Sequence, residues 1–179
     1  MCRVLVVTAR MLLAILAVIG LVGASMMSAP AVALSHEEWL MAFVRFVDWP
    51  TSPKDNTLAI CQQLDAPRLL LQRLQVRGLT MQVVRVSRLR DVNRWHVFSA
   101  LSMKEAEWTP WLAALKSQPI LVVGLGARFC ELGGAICLVK DEATGVEKYQ
   151  LNLDSLSRSG FRVRSQLLRP PRQRSANVE

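Results

Sequence analysis

The sequence predicts a single α/β domain with a mostly parallel sheet, helices flanking the sheet, and a C-terminal strand hairpin. The first observation is alternation: along the 179-residue chain, segments with the apolar spacing of strands follow segments with the spacing of helices. The second is that residues 58–61 and 120–123 are fully apolar, as in strands covered on both faces. The third is the strand–helix–strand order of residues 95–124, which favours a right-handed parallel crossover.

Residues 1–33 have the pattern of a cleaved secretory signal peptide. Two arginines give a basic start, residues 11–23 form an uninterrupted apolar run, and residues 31–33 are an A-x-A cleavage motif. The alternative is an uncleaved membrane anchor, but the apolar run is shorter than the roughly 20 residues that cross a bilayer. We therefore expect an exported protein whose mature chain starts near Leu34 and does not span the membrane.

The domain is predicted to open with a helix over residues 35–49. Ser35 and Glu38 have the spacing of a capping box, and Pro50 cannot continue a helix. Apolar side chains recur at helical spacing and would dock on the sheet: Trp39, Leu40, Phe43, Val44, Phe46 and Val47.

The remaining elements follow from the same apolar periodicities and from turn residues. In the first half they are a strand over residues 58–61, a helix over 66–75, and strands over 81–86 and 95–100. In the second half they are a helix over 104–116, a strand over 120–124, a glycine-containing loop over 124–134, hairpin strands over 135–139 and 146–151, a short helix over 154–159 and an apolar patch over 166–169. We find no sign of a second domain before residue 169.

The chain is basic, and its positive charge is concentrated near the C-terminus. Removing the two arginines of residues 1–33 lowers the formal net charge from +8 to +6. The C-terminal arginines are Arg158, Arg162, Arg164, Arg169, Arg172 and Arg174. A basic tail can bind nucleic acid, anionic lipid or an acidic protein face, and export argues against nucleic acid. Residues 170–179 are predicted to be a basic, disordered tail.

The sequence Gly124-Leu125-Gly126 after a strand is similar to a dinucleotide-binding turn. The third glycine of that motif is replaced by Phe129, and no clear helix pattern follows. We therefore predict only a tight connection at the end of the strand, without a cofactor.

Three cysteines remain after residues 1–33 are removed: Cys61, Cys130 and Cys137. In an oxidising compartment, neighbouring cysteines tend to pair. Gly133 and Gly134 allow the chain to reverse, so we predict a Cys130–Cys137 disulfide worth roughly 2.5 kcal/mol in the chain-entropy model. The alternative is two buried free thiols. Cys61 lies on an apolar strand and is predicted to be an unpaired, inert thiol.

The sequence has no recognisable catalytic or metal-binding pattern. His36 and His96 are the only histidines, and neither has the spacing of a zinc site. No motif of a nucleophilic enzyme is present. The candidate acids and bases are scattered along the chain: Asp48, Asp91, Glu131 and Asp154. We therefore predict a binding protein that has no catalytic residue and no metal, rather than an enzyme.

Four segments of the chain resemble, in the same order, the YfiR-like family of periplasmic proteins. Residues 42–50 (AFVRFVDWP) resemble the opening helix of that family, and residues 58–61 (LAIC) resemble its first strand with a cysteine. Residues 129–139 (FCELGGAICLV) resemble its glycine-rich segment, with cysteines seven apart. Residues 150–169 are similar to its closing N-L-D, glycine and S-x-L-L-R signature. The resemblance extends over residues 38–169, nearly the whole mature chain.

The resemblance implies a periplasmic regulator. Members of the family restrain a membrane-bound diguanylate cyclase by acting on its periplasmic sensor part, which lowers cyclic di-GMP and opposes biofilm formation. The resemblance leaves room for a homodimer and does not identify partner-binding residues. The alternative is a periplasmic small-ligand-binding protein without a cyclase partner, because a glycine-containing loop at the end of a strand is a common ligand site.

The family pattern has two disulfides, and this chain can form only one of them. Cys130 and Cys137 match one pair. The other would join Cys61 to a cysteine just before the H-V of the third strand, where this chain has Trp95. The resemblance therefore implies that the second bridge is missing and that Cys61 is unpaired.

Overall fold

The computed structural model describes residues 34–71, 75–89 and 94–168. The predicted signal peptide over residues 1–33 and the predicted tail over residues 170–179 lie outside the described residues. In the described part, no helix combines the length and the apolar character needed to cross a membrane.

The described chain forms four α-helices, a short 3-10 helix and nine strands. In order these are α1 (His36–Phe46), β1 (Val47–Asp48), the 3-10 helix (Lys54–Asn56), β2 (Thr57–Gln63), β3 (Gln75–Val76), β4 (Leu79–Val86), β5 (Val97–Ser99), α2 (Glu105–Leu115), β6 (Leu121–Leu125), α3 (Ala127–Glu131), β7 (Ile136–Lys140), β8 (Glu147–Leu151), α4 (Leu153–Arg158) and β9 (Arg162–Val163).

The main sheet has the strand order β3-β4-β2-β5-β6-β7-β8. Its five central strands, β4, β2, β5, β6 and β7, are parallel neighbours. The edge strands β3 and β8 run antiparallel to their neighbours, and β7 with β8 forms the predicted C-terminal hairpin. The α/β class, the mostly parallel sheet and the hairpin are therefore confirmed.

Helices cover both faces of this sheet. Alternate strand residues contribute to two separate apolar clusters, as expected where successive side chains point to opposite faces. Leu121 and Val123 pack in the cluster that contains α1, whereas Val122 packs in the cluster that contains α2 and Phe129 of α3.

Helix α1 is tied to the edge strand β8 as well as to the sheet face. Its predicted capping box is present: the Ser35 hydroxyl accepts from the amide of Glu38, and the Glu38 carboxylate accepts from the amide of Ser35. Trp39 donates from Nε1 to the Glu147 carboxylate at 3.1 Å. The ring of Trp39 also contacts Tyr149 edge-on at 5.5 Å between centroids, so the helix start is anchored by polar and aromatic contacts together.

The predicted opening helix ends three residues earlier than its sequence pattern indicated. Helix α1 stops at Phe46, and the next two residues form β1, in which Val47 pairs with Val163 and Asp48 with Arg162. The partner strand is more than a hundred residues away in sequence. The local apolar spacing that predicted a helix to residue 49 therefore could not reveal this pairing.

The helix predicted over residues 66–75 is wrong for its described part. Residues 66–71 have no helix, residues 72–74 lie outside the described residues, and Gln75 belongs to β3. The buried Gln62 side chain explains the difference, because its amide donates to the Pro67 carbonyl at 2.6 Å and accepts from the Leu69 amide at 3.1 Å. These bonds hold the segment in a non-helical course, because a helix would draw these backbone groups into its own hydrogen bonds.

His96 is bound to the backbone of the neighbouring strand. Its Nδ1 accepts from the Ala59 amide at 3.1 Å, and its own amide donates to the Ala59 carbonyl at 3.0 Å. Burial lowers the pKa of His96 from its ordinary value of 6.5. Since Nδ1 faces a donor, protonation there would remove the first of these bonds.

We expect the free energy of unfolding to fall as the pH is lowered from about 7 to about 5. The unfolded chain takes up a proton at His96 near its ordinary pKa, whereas the folded chain resists protonation until a lower pH. The contribution of the neutral imidazole is therefore fully present above about pH 6.5 and is lost as the pH falls through the folded pKa. Urea denaturation at several pH values in this range measures how the free energy of unfolding changes with pH.

The variant His96→Asn offers an amide oxygen near the position of Nδ1 and cannot titrate. It should show a smaller loss of stability than wild type between these pH values. The variant His36→Asn, which keeps His96, is the matched control. If the free energy of unfolding of His96→Asn falls with pH as steeply as that of wild type, the pH dependence does not come from His96.

Candidate functional site

The glycine-containing segment after β6 is more ordered than its sequence pattern indicated. Residues 124–134 were predicted to be a loop, but they contain the five-residue helix α3. Gly126 stands immediately before α3 with φ of 81°, a backbone conformation that other residues rarely adopt, and it turns the chain from β6 into the helix. The pattern was too short for helical periodicity to appear.

The ring of Phe129 fills the space next to two glycines. A Cβ at Gly124 would stand 2.6 Å from this ring, and a Cβ at Gly134 would stand 2.2 Å from it. Only glycine fits at either position while the ring stays in place. The residue that replaces the third glycine of a dinucleotide motif therefore closes the turn with its own side chain.

A disulfide joins the end of α3 to β7. Cys130 and Cys137 are bonded, with their Cα atoms 5.8 Å apart, as the sequence predicted. Both residues are buried in the cluster beneath α2. The bridge closes the short segment that contains Leu132, whose side chain is 42% exposed.

The start of α4 binds the backbone of this bridged segment. Asn152 donates from Nδ2 to the Cys130 carbonyl at 2.8 Å. The buried Ser155 hydroxyl donates to the Gly133 carbonyl at 3.0 Å. Asn152 also caps α4 by accepting from the Ser155 amide. The N-L-D signature near the C-terminus therefore stabilises the glycine-rich segment directly.

A cleft of about 430 Å³ lies beside the bridged segment, between α2 and α4. Its lining carries charges of both signs: Lys116, Glu131, Asp154 and Arg158. Arg158 and Asp154 form an ion pair at 2.6 Å across one turn of α4. Sequence analysis treated Glu131 and Asp154 as scattered, and the structure brings both to this cleft. No spacing signal links them, because they come from different elements.

Cys61 and Trp95 are both buried in the cluster on the α2 face. Cys61 is a free thiol in the described part, and burial raises its pKa to about 12, which keeps it protonated and unreactive at neutral pH. Trp95 stacks on Phe98 and Trp111, with centroid distances of 5.9 and 6.2 Å. Trp95, which stands where the resemblance implied a cysteine, is therefore held by aromatic packing.

The remaining candidate side chains are not gathered into one site. Asp48 pairs with Arg164, and His36 lies 3.9 Å from Glu147. Asp91 lies outside the described residues. Among the residues that the structure describes, no three His, Cys, Asp or Glu side chains are grouped so that they could hold a metal ion.

Comparison with known families identifies what the whole described domain resembles. A family model described as YfiR/HmsC-like matches residues 35–170. The match covers more than two thirds of the chain, and it contains the bridged segment, α4 and β9. No curated protein matches the chain.

We expect Cys130→Ser to lower the free energy of unfolding by about 2–3 kcal/mol under oxidising conditions. The substitution removes the bridge, so the unfolded chain gains the conformational freedom that the bridge restricts. Chemical denaturation with and without a reductant measures the effect. The reductant should destabilise wild type to a similar degree and leave Cys130→Ser unchanged.

Cys61→Ala is the matched control for this experiment. It removes the buried free thiol and should retain the full response to reductant. Equal stability of wild type and Cys130→Ser in oxidising buffer would show that the bridge contributes nothing.

Proposed function

Because the chain belongs to the YfiR/HmsC-like family, we propose that it binds the periplasmic sensor part of a membrane diguanylate cyclase and represses the enzyme. Members of this family regulate diguanylate cyclase pathways and are periplasmic. Repression would lower cyclic di-GMP and oppose biofilm formation.

The observation that carries the proposal is the extent of the family match. Residues 35–170 include all fourteen described elements, so the match is to the complete domain and not to one motif. The segments behind the resemblance also contact one another. Asn152 binds the glycine-rich segment, and β9 pairs with β1 at the end of the opening helix.

The proposed organisation of the chain follows from the same reasoning. We propose that residues 1–33 are a cleaved signal peptide, that residues 34–169 are the regulatory domain and that residues 170–179 are a basic tail. Export would place the cysteines in an oxidising compartment, which agrees with a stable Cys130–Cys137 bridge.

The proposed mechanism is preferential binding to one state of the sensor. A regulator that binds the inactive state more tightly than the active state shifts the cyclase toward inactivity. The surface around the bridged segment suits such a contact. It has exposed apolar side chains at Leu132 and Leu153 and charges of both signs in the adjoining cleft.

Deleting the gene in its native host should raise cellular cyclic di-GMP, because the cyclase would lose its repressor. Quantifying the nucleotide by mass spectrometry tests this expectation. The intact gene should restore the lower level.

A gene that lacks codons 2–33 is the matched control, because its product would carry the same domain without the export signal. It should fail to lower cyclic di-GMP. An unchanged nucleotide level after deletion, in cells that express the gene, would contradict the proposed repression.

The cleft favours a second candidate function, a small-ligand-binding protein without a cyclase partner. Its volume of about 430 Å³ is within the range of small-molecule sites, and its mixed charges suit a metabolite with both a positive and a negative group. A ligand at 100 times its Kd should stabilise the fold by about 2.7 kcal/mol. Melting of the exported protein against a panel of such metabolites measures the stabilisation.

Ala113→Trp provides the control, since Ala113 lines the cleft and is exposed. The larger side chain should keep the unliganded melting temperature and abolish the ligand shift. If no metabolite of the panel changes the melting temperature of the wild-type protein, this second function is contradicted.

A further inference from the structure

An arginine surface lies apart from the cleft, where the two-stranded sheet of β1 and β9 meets the turn between β3 and β4. We define it as Arg45, Arg77, Arg162 and Arg164 around the carboxylate of Asp48. All four arginines are exposed. They come from α1, from the β3–β4 turn and from the segment around β9, so the fold itself brings them together.

Direct contacts hold this surface together. Arg164 donates from Nε and Nη2 to Oδ1 of Asp48, at 3.0 and 2.8 Å. Nη1 of Arg77 lies 3.5 Å from the same oxygen and donates to the Arg45 carbonyl at 3.4 Å. Arg162 is the cross-strand partner of Asp48, which places both side chains on one face of the small sheet.

The charge of this arginine surface is far from balanced. Arg164 and Arg77 contact the Asp48 carboxylate, and Arg77 also binds the backbone of Arg45, so the four arginines and one aspartate of this surface carry a formal net charge of +3. The hydrogen bond from Arg164 is the main reason why the pKa of Asp48 is lowered, so this carboxylate is already ionised at neutral pH. Beyond Leu168, the last described residue, the sequence adds Arg169, Arg172 and Arg174.

We propose that the arginine surface docks the protein onto the anionic phospholipid headgroups of a membrane. The planar guanidinium group binds phosphate oxygens in pairs, and exposed basic clusters are attracted to anionic bilayers. All four arginines are exposed, and none of them lines the cleft between α2 and α4, so they form an open surface. An open surface suits a plane of headgroups better than a single enclosed anion.

Binding to the membrane would keep the regulator close to the membrane surface. The periplasmic sensor part of a membrane enzyme lies at the same surface. The inference rests on the periplasmic location of the family and not on binding to a sensor. The following experiment contains no cyclase, so its outcome is separate from the outcome of the proposed function.

The test is co-sedimentation of the protein, purified from the periplasm of expressing cells, with lipid vesicles. One set of vesicles is phosphatidylcholine alone, and the other contains about one third phosphatidylglycerol, an anionic lipid. We expect binding only to the anionic vesicles at about 50 mM salt. Binding should be largely lost at about 500 mM salt, because counterions screen exposed charges.

The variant Arg45→Gln/Arg77→Gln/Arg162→Gln keeps the Arg164–Asp48 pair and should reduce vesicle binding by at least about tenfold. The control Lys116→Gln/Arg128→Gln/Lys140→Gln removes the same number of exposed charges elsewhere and should bind like wild type. Melting temperatures close to wild type in both variants would establish that the folded proteins are being compared.

Four results would overturn the proposal. Equal binding to both kinds of vesicle, or equal loss in both triple variants, would show that the arginine surface has no specific role. A melting temperature raised by inorganic phosphate, without any vesicle binding, would identify a site for a free anion. Absence of wild-type binding to the anionic vesicles at about 50 mM salt would show that the surface has no affinity for lipid headgroups.

Discussion

The arrangement of the α2 face depends on the position of one aromatic ring. Phe129 fills the volume that side chains at Gly124 and Gly134 would need. This contact holds the end of β6 close to the start of β7, with α3 between them. Cys130, next to this ring, is bonded to Cys137 of β7. The carbonyls of Cys130 and Gly133 in the same segment accept from Asn152 and Ser155, so the disulfide and the start of α4 meet at this ring.

Sequence analysis succeeded where the determining interactions are local and failed where they are not. The capping box at Ser35, the apolar central strands and the β7–β8 hairpin all have short-range signals, and all three are present. The end of α1 depends on pairing with β9, and the non-helical course after β2 depends on the buried amide of Gln62. The site follows the same rule: the cysteine pair was predictable from neighbouring glycines, whereas the charged cleft was not.

Packed rings surround Cys61, on the side of the sheet where the resemblance implied a second bridge. Trp95, Phe98 and Trp111 form a stack, with 4.8 Å between the centroids of Phe98 and Trp111. Cys61, buried in the same cluster, then behaves as a small apolar residue. A stack of this kind contributes through burial and ring geometry, so its strength does not respond to thiol oxidants. Among the described residues, the disulfide is thereby confined to the bridge beside α3, and Cys61 stays a buried thiol.

The pairing of β1 with β9 also determines the order in which the molecule can be completed. During synthesis and export α1 comes first, but the strand that pairs with the end of α1 comes 116 residues later in the chain, as does Arg164, the partner of Asp48. Until then, Val47 lacks its cross-strand neighbour and the end of α1 is unprotected. A prematurely terminated chain therefore differs from a finished one in this exposed end of α1. Proteases that degrade incomplete chains could cleave there.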